Sequence, residues 1–148
     1  MIEELKTVLR LQATVVEGLG RGGKQLGCPT ANLSRKDLGD QLDQLPTGIY
    51  CGWATVDGKG PFKAVVSIGW NPYFKDKEKT VEPHLLHKFD EDFYGAQLKL
   101  VISGYLRPEM DFPSLESLVK AIHDDIAQSN EWLDTPVGKT WSQDALLQ

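Results

Sequence analysis

The chain is poor in the residues that mark several protein classes. Among 148 residues there are two cysteines, Cys28 and Cys51; they form no CxxC pair and are too few for a secreted disulfide framework. Both read as small, buried apolar groups. No stretch has the length and apolarity of a membrane span, and Met1-Ile2-Glu3-Glu4-Leu5-Lys6 has neither the basic start nor the apolar run of a secretion signal. Positive charge is also scarce: 16 Lys and Arg stand against 21 Asp and Glu, a formal charge of −5. That excludes a chain-wide field for nucleic acid or an anionic membrane, so a phosphate-bearing ligand has to be held by a local group of residues. Internal repeats and low-complexity segments are missing as well.

What remains is ordinary globular composition, 41% hydrophobic and 25% charged. A chain of this length can bury a core without disulfides or a structural metal. The expectation is one domain over residues 1–148, monomeric and cytoplasmic, with an organelle matrix as the alternative compartment.

Strand signals dominate the first two thirds. Residues 11–17, rich in β-branched side chains, run into glycines and read as a strand entering a loop. Ile49 to Val56 and Phe62 to Gly69 flank Asp57-Gly58, a hairpin signal. Val81 to Phe89 is less regular. Gln97 to Leu106 alternates, with Leu98, Leu100 and Ile102 on one face and Lys99, Val101 and Ser103 on the other. One helix is clear: Leu115, Leu118, Val119, Ile122 and Ile126 share a stripe behind an N-cap at Ser114, while Glu116, Lys120, His123, Asp124 and Asp125 read as a solvated outer face. Strands first and a helix last exclude alternating βαβ units and favour a closed or nearly closed barrel with the helix against it. Residues 134–148 read as a loosely attached tail on which Trp141 and Leu146 can dock.

The segment Gly18-Leu19-Gly20-Arg21-Gly22-Gly23-Lys24-Gln25 fits both a GxGxxG and a GxxxxGK pattern. Neither reading holds. Pro29 follows too soon for the helix a dinucleotide fingerprint requires, and Gln25 stands where a phosphate loop needs a hydroxyl for magnesium. Closely spaced glycines still let backbone N–H groups approach phosphate oxygens, with Arg21 and Lys24 adding charge. A flexible hairpin with solvated charges is the plainer alternative. Thr30 and Asn32, two residues apart, offer a hydroxyl and an amide oxygen on one side of an extended segment. Such neutral oxygens suit magnesium, which keeps waters and substrate phosphates as its other ligands; satisfying turn backbone is the alternative. Glu82, His84 and His87 do not read as a zinc triad, because on a strand the first two share a face and the third does not. Trp53 reads as core, while Trp70, Tyr73 and Phe74 are open between core packing and ring stacking.

Gly18-Leu-Gly-Arg-Gly-Gly-Lys-Gln-Leu-Gly-Cys-Pro-Thr-Ala-Asn32 closely resembles the signature of riboflavin kinases of the eukaryotic type. Pro46-Thr-Gly-Ile-Tyr50, Val66-Ser-Ile-Gly-Trp-Asn-Pro-Tyr73, Glu82-Pro-His, Phe89-Asp-Glu-Asp-Phe-Tyr-Gly95, Gly104-Tyr-Leu-Arg-Pro-Glu109 and Ser114-Leu-Glu-Ser-Leu118 resemble the same family in the same order, from about residue 11 to residue 133. The resemblance implies a six-stranded antiparallel Greek-key barrel with a C-terminal helix. It also implies transfer of the γ-phosphate of ATP to the 5′-hydroxyl of riboflavin, giving ADP and FMN. The implied metal is magnesium, with zinc or manganese as alternatives.

By position, the resemblance implies Glu82 as catalytic base and Thr30 and Asn32 as metal ligands. It places Gly18, Lys24, Thr30, Asn32, Leu85, His87 and Tyr94 around ATP, and Arg107, Met110 and Phe112 around the flavin, in a loop that changes shape with ligands in relatives. Gly23, Cys28 and Met110 depart from the family's usual residues, none at a catalytic position; a backbone contact at Met110 survives its substitution. A flavin-carrying barrel without kinase activity is the rival from another class. A kinase module excised from a bifunctional flavin enzyme is the other alternative, since this chain lacks the length for a fused second domain.

Overall fold

The computed structural model describes residues 2–16, 32–70, 79–89 and 93–148. Readings that rest on Gly18, Lys24, Cys28, Thr30, Tyr73 and Phe74 lie outside the described residues. The elements are β1 (Glu3–Val16), β2 (Asn32–Leu33), two short helices α1 (Arg35–Leu38) and α2 (Gln41–Gln44), β3 (Gly48–Val56), β4 (Lys59–Trp70), β5 (Lys79–Leu85), β6 (Gln97–Arg107), α3 (Leu115–Leu133) and α4 (Pro136–Thr140), followed by 3₁₀ turns at Trp141–Gln143 and Ala145–Leu147.

The strands form one antiparallel sheet in the order β2-β1-β6-β3-β4-β5. It curls until β2 and β5 come together, which makes the nearly closed six-stranded barrel with a C-terminal helix that the resemblance implied. The β3–β4 hairpin turns at Asp57 and Gly58, both at positive φ (47° and 81°), as a two-residue hairpin requires. Asp57 also ties the turn to β6, its Oδ1 accepting from the Gln97 N–H at 2.8 Å.

The barrel interior is filled from alternate positions, among them Leu11, Ala13 and Val15 of β1, Val66 and Ile68 of β4, Val81 and Leu85 of β5, and Leu98, Leu100 and Ile102 of β6. A second apolar cluster lies outside the barrel wall. Val101 and Ser103, on the other face of β6 from Leu98, Leu100 and Ile102, are fully buried as well. Residues 134–148 are not a loose tail. Leu147 packs with Val8, Cys51, Trp53, Val101 and Leu133, with Trp141 and Leu146 alongside. The Trp53 indole N–H donates to the Gly138 carbonyl at 2.9 Å, and Arg10 holds Asp144 through three hydrogen bonds of 2.8 to 3.3 Å. The long helix is also preceded by two short ones, α1 and α2, whose Leu38 and Leu42 join the main core. They are fastened to the start of β5 by Lys79, whose buried ammonium donates to the Leu42 and Leu45 carbonyls at 3.2 and 2.7 Å.

The expected N-cap of α3 is present: Ser114 Oγ accepts from the Ser117 N–H at 3.1 Å, and Ser117 Oγ accepts from the Ser114 N–H at 3.3 Å. Leu118, Val119, Ile122 and Ile126 of the expected stripe are partly buried, and Leu118, Ile122 and Ile126 face the pocket described below. Leu115 departs from it and is exposed, while the inward face also takes in Asp125, Ser129 and Leu133, all buried. Asp125 is therefore not part of a solvated face. His123 and Asp124 remain exposed. No helix among the described residues is long and apolar enough to cross a membrane.

Candidate active site

On β5 the period of two sorts function from core. Val81, Pro83 and Leu85 are buried, with Val81 and Leu85 in the barrel interior, whereas Glu82 and His84 face the opposite side toward α3. Glu82 lies directly across from Ser67 of β4, and His84 across from Val65. These four residues floor a pocket of about 210 Å³. Its other walls are the end of β6 with the loop that follows it, bearing Arg107, Glu109, Met110 and Phe112, and the helix α3, bearing Ile122, Asp125 and Ile126.

The floor is electrostatically unusual. Burial pushes the Glu82 carboxyl above its ordinary range, which makes it a stronger proton acceptor than a solvated carboxylate. Burial pushes His84 the other way, and its Nε2 is enclosed with no hydrogen-bond partner among the described residues. A neutral imidazole two residues from Glu82 adds no cation that would pull the carboxylate back down. At the rim, Glu109 is raised by burial and by neighbouring Asp111, partly offset by a hydrogen bond from the Trp70 N–H. Its carboxylate lies over Gly69, where any Cβ would collide with it. Gly69 thereby lets the 108–114 loop fold back onto β4.

The three residues expected beside the flavin lie together in the pocket. Arg107, Met110 and Phe112 line one wall, with the Arg107 guanidinium 5.5 Å from the Phe112 ring centroid. Arg107 is held by Asp125, Nε to Oδ1 at 3.0 Å and Nη2 to Oδ2 at 2.8 Å. The residues expected around the nucleotide lie elsewhere. His87 stacks on Phe62 at 4.4 Å and meets Phe89 edge-on at 4.8 Å; Phe89 continues to Phe93 at 4.7 Å. Tyr94 beside this group is 49% exposed. Leu85 is fully buried in the barrel, so its backbone is what it can offer a ligand. Asn32 sits on β2, paired with Val16, on the strand that meets β5 across the seam. Glu82, Arg107, Met110 and Phe112 thus share one pocket, whose lining does not include Asn32, Leu85, His87 or Tyr94.

Among the described residues no three His, Cys, Asp or Glu side chains are grouped to hold a metal, and no hydrogen bond engages the Asn32 amide. An amide oxygen suits a hard, oxygen-loving cation whose other ligands come from water and phosphate. Sequence reasoning missed Ser67, Glu109 and Asp125, and weighed His84 only as a metal ligand. The signal for the first two was their place inside the motifs around Gly69 and Arg107.

The geometry defines a class first: a small-molecule β-barrel protein whose pocket joins a carboxylate raised by burial to a cationic, aromatic wall suited to a flat ring. Residues 5–133 match the family model described as Flavokinase: Riboflavin kinase. The chain belongs to the riboflavin kinase family. It is 52% identical over 122 residues to the riboflavin kinase of Mus musculus, covering 82% of this chain and 79% of that protein. It is 48% identical over 134 residues to that of Homo sapiens, covering 90% and 86%. To the bifunctional riboflavin kinase/FMN phosphatase of Arabidopsis thaliana it is 58% identical over 122 residues, 82% of this chain but 32% of that protein, so the chain spans about a third of that relative. The crystal structure of riboflavin kinase from Trypanosoma brucei superposes with a TM-score of 0.74 at 32% identity, covering 94% of this chain and 88% of that one.

Proposed function

We propose that this chain transfers the terminal phosphate of ATP to the 5′-hydroxyl of riboflavin, yielding ADP and FMN, with Glu82 as the base. The observation that carries the reading is Glu82 itself: a carboxylate raised by burial, on the floor of a pocket walled by Arg107, Met110 and Phe112. Phosphoryl transfer asks little covalent chemistry of a protein. It asks for in-line positioning, charge stabilisation and a group to take the acceptor's proton.

Each part has a residue. The isoalloxazine ring lies against Phe112 and the apolar side chains of α3, its polar edge toward Arg107, and the ribityl chain runs along the floor. That brings the terminal hydroxyl to Glu82, which accepts its proton as the new bond forms, a contribution of ~10² to 10⁴ in rate. Lys24 and the backbone of the Gly18 loop hold the phosphates, and the base of the nucleotide rests by His87, Tyr94 and the Leu85 backbone. Thr30 and Asn32 hold magnesium, which when bound neutralises phosphate charge; zinc and manganese are the alternatives. The enzyme acts as a monomer in the cytoplasm.

Incubation with ATP, magnesium and riboflavin, followed by chromatography, tests the reading. FMN should accumulate with ADP. Riboflavin that binds and returns unchanged would instead make the chain a flavin carrier.

A further inference from the structure

Asp125 is a charged group of the pocket to which the reaction above gives no task. It lies on α3, is 5% exposed, and spends both carboxylate oxygens on one partner, Arg107. The pairing is fork to fork, the arrangement in which carboxylate and guanidinium constrain each other's orientation as well as charge. It is also shielded, with the two side chains 21% and 7% exposed, unlike the surface pairs that contribute little. The same guanidinium reaches the Pro108 carbonyl with Nη1 at 3.3 Å and lies over Phe112. Strand β6, helix α3 and the 108–114 loop, three walls of the pocket, therefore meet on one cation. Of the five N–H groups of a guanidinium, Asp125 takes two and Pro108 one, and among the described residues the other two have no partner, which leaves them for a ligand.

We propose that Asp125 is a positioning residue for flavin binding: it fixes the Arg107 fork so that its remaining N–H groups meet acceptor atoms of a flat heteroaromatic ring, and it holds α3 closed beside that ring. The inference rests on the reading of Arg107 as a flavin contact. It goes beyond that reading by assigning the orientation, and hence the affinity, to a helix residue that touches no substrate.

Asp125→Asn preserves shape but turns an amide N–H₂ toward a guanidinium that also only donates, so the fork is lost. Misplacing one charge-assisted hydrogen bond should raise KM for riboflavin roughly tenfold. Because Arg107 acts on the flavin end and not on the reacting atoms, kcat and KM for ATP should stay within about twofold. Quenching of riboflavin fluorescence should report the same loss in Kd. Asp125→Glu, which keeps the charge and the fork, should fall between the two, and it serves as the test if Asp125→Asn does not fold. In an Arg107→Met background, Asp125→Asn should add no further rise. The proposal is overturned if Asp125→Asn lowers the melting temperature yet leaves riboflavin KM unchanged, which is the behaviour of a purely structural ion pair. It is equally overturned if the tenfold rise persists in the Arg107→Met background. If Arg107→Met alone leaves riboflavin affinity intact, the reading of Arg107 fails first and the proposal fails with it.

Discussion

Replacing Glu82 with glutamine should slow turnover and steady the fold at the same time. The substitution keeps the side chain's length and one acceptor oxygen, so the hydroxyl of a bound acceptor can still be aligned; what is lost is the ability to take its proton. With the pocket walled by α3 and the 108–114 loop, solvent is poorly placed to substitute. The loss should be ~10² to 10⁴ in kcat, about 3 to 5 kcal/mol of barrier, with binding of ATP and riboflavin retained. Stability moves the other way. In the unfolded chain Glu82 releases its proton near the ordinary 4.5, whereas in the fold burial makes it hold the proton to higher pH. Between those values the folded state binds more protons than the unfolded state. Stability therefore falls as pH rises through that window and stays lower above it. Glutamine carries no such penalty. Melting curves of Glu82→Gln and the unmodified protein should coincide below about pH 4.5, with the variant the more stable at pH 7. The unmodified enzyme's kcat/KM should climb across the same window as the base ionises. A coupled ADP assay and pH-dependent melts read both effects. Near-normal turnover would remove Glu82 as base, and a variant less stable at pH 7 would refute the account of its burial.

Three further outcomes are expected. Thr30→Ala and Asn32→Ala should each shift the magnesium titration of turnover to higher concentration, and curves that overlay the unmodified protein would remove them as ligands. Trp53→Phe strips the N–H that meets the buried Gly138 carbonyl; it should cost ~1–3 kcal/mol in denaturant melts and expose residues 134–148 to protease, and unchanged resistance would mean the segment is held without it. Cys51, fully buried and pushed up to about 12, should not react with a thiol reagent at pH 8 in the folded protein. With Cys28 changed to Ser, thiol titration should find no reactive group until denaturant is added, and a native signal would contradict the packing.

How much of this was legible in the sequence depends on whether the signal was local. The Asp57-Gly58 turn, the Ser114 cap and the placing of Leu98, Leu100 and Ile102 inside all depend on near neighbours, and all hold in the structure. The second layer was not legible. Val101 and Ser103 could be assigned only to the other face of β6, and the cover over that face comes from Leu133, Trp141 and Leu147, which are spaced singly over short turns with no period to read. A cue existed in β3: Gly48-Ile-Tyr-Cys-Gly-Trp-Ala-Thr-Val56 is apolar nearly throughout, the mark of a strand covered on both faces. Asp125 was misplaced for a related reason. Beside Asp124 it looks like part of a charged face, and only the approach of Arg107, 18 residues away in sequence, makes its burial tolerable. For the site, alternation on β5 was enough to put Glu82 and His84 on one face. That this face looks onto Arg107 and Phe112 is a product of tertiary folding, and the resemblance supplied it.

The central claim is tested most directly by the fate of riboflavin itself. With ATP, riboflavin and the purified chain, run with and without magnesium, chromatography should show FMN and ADP appearing one for one, only with the metal present, and falling away in Glu82→Gln. Riboflavin recovered unchanged under those conditions, or ADP released without FMN, would contradict it.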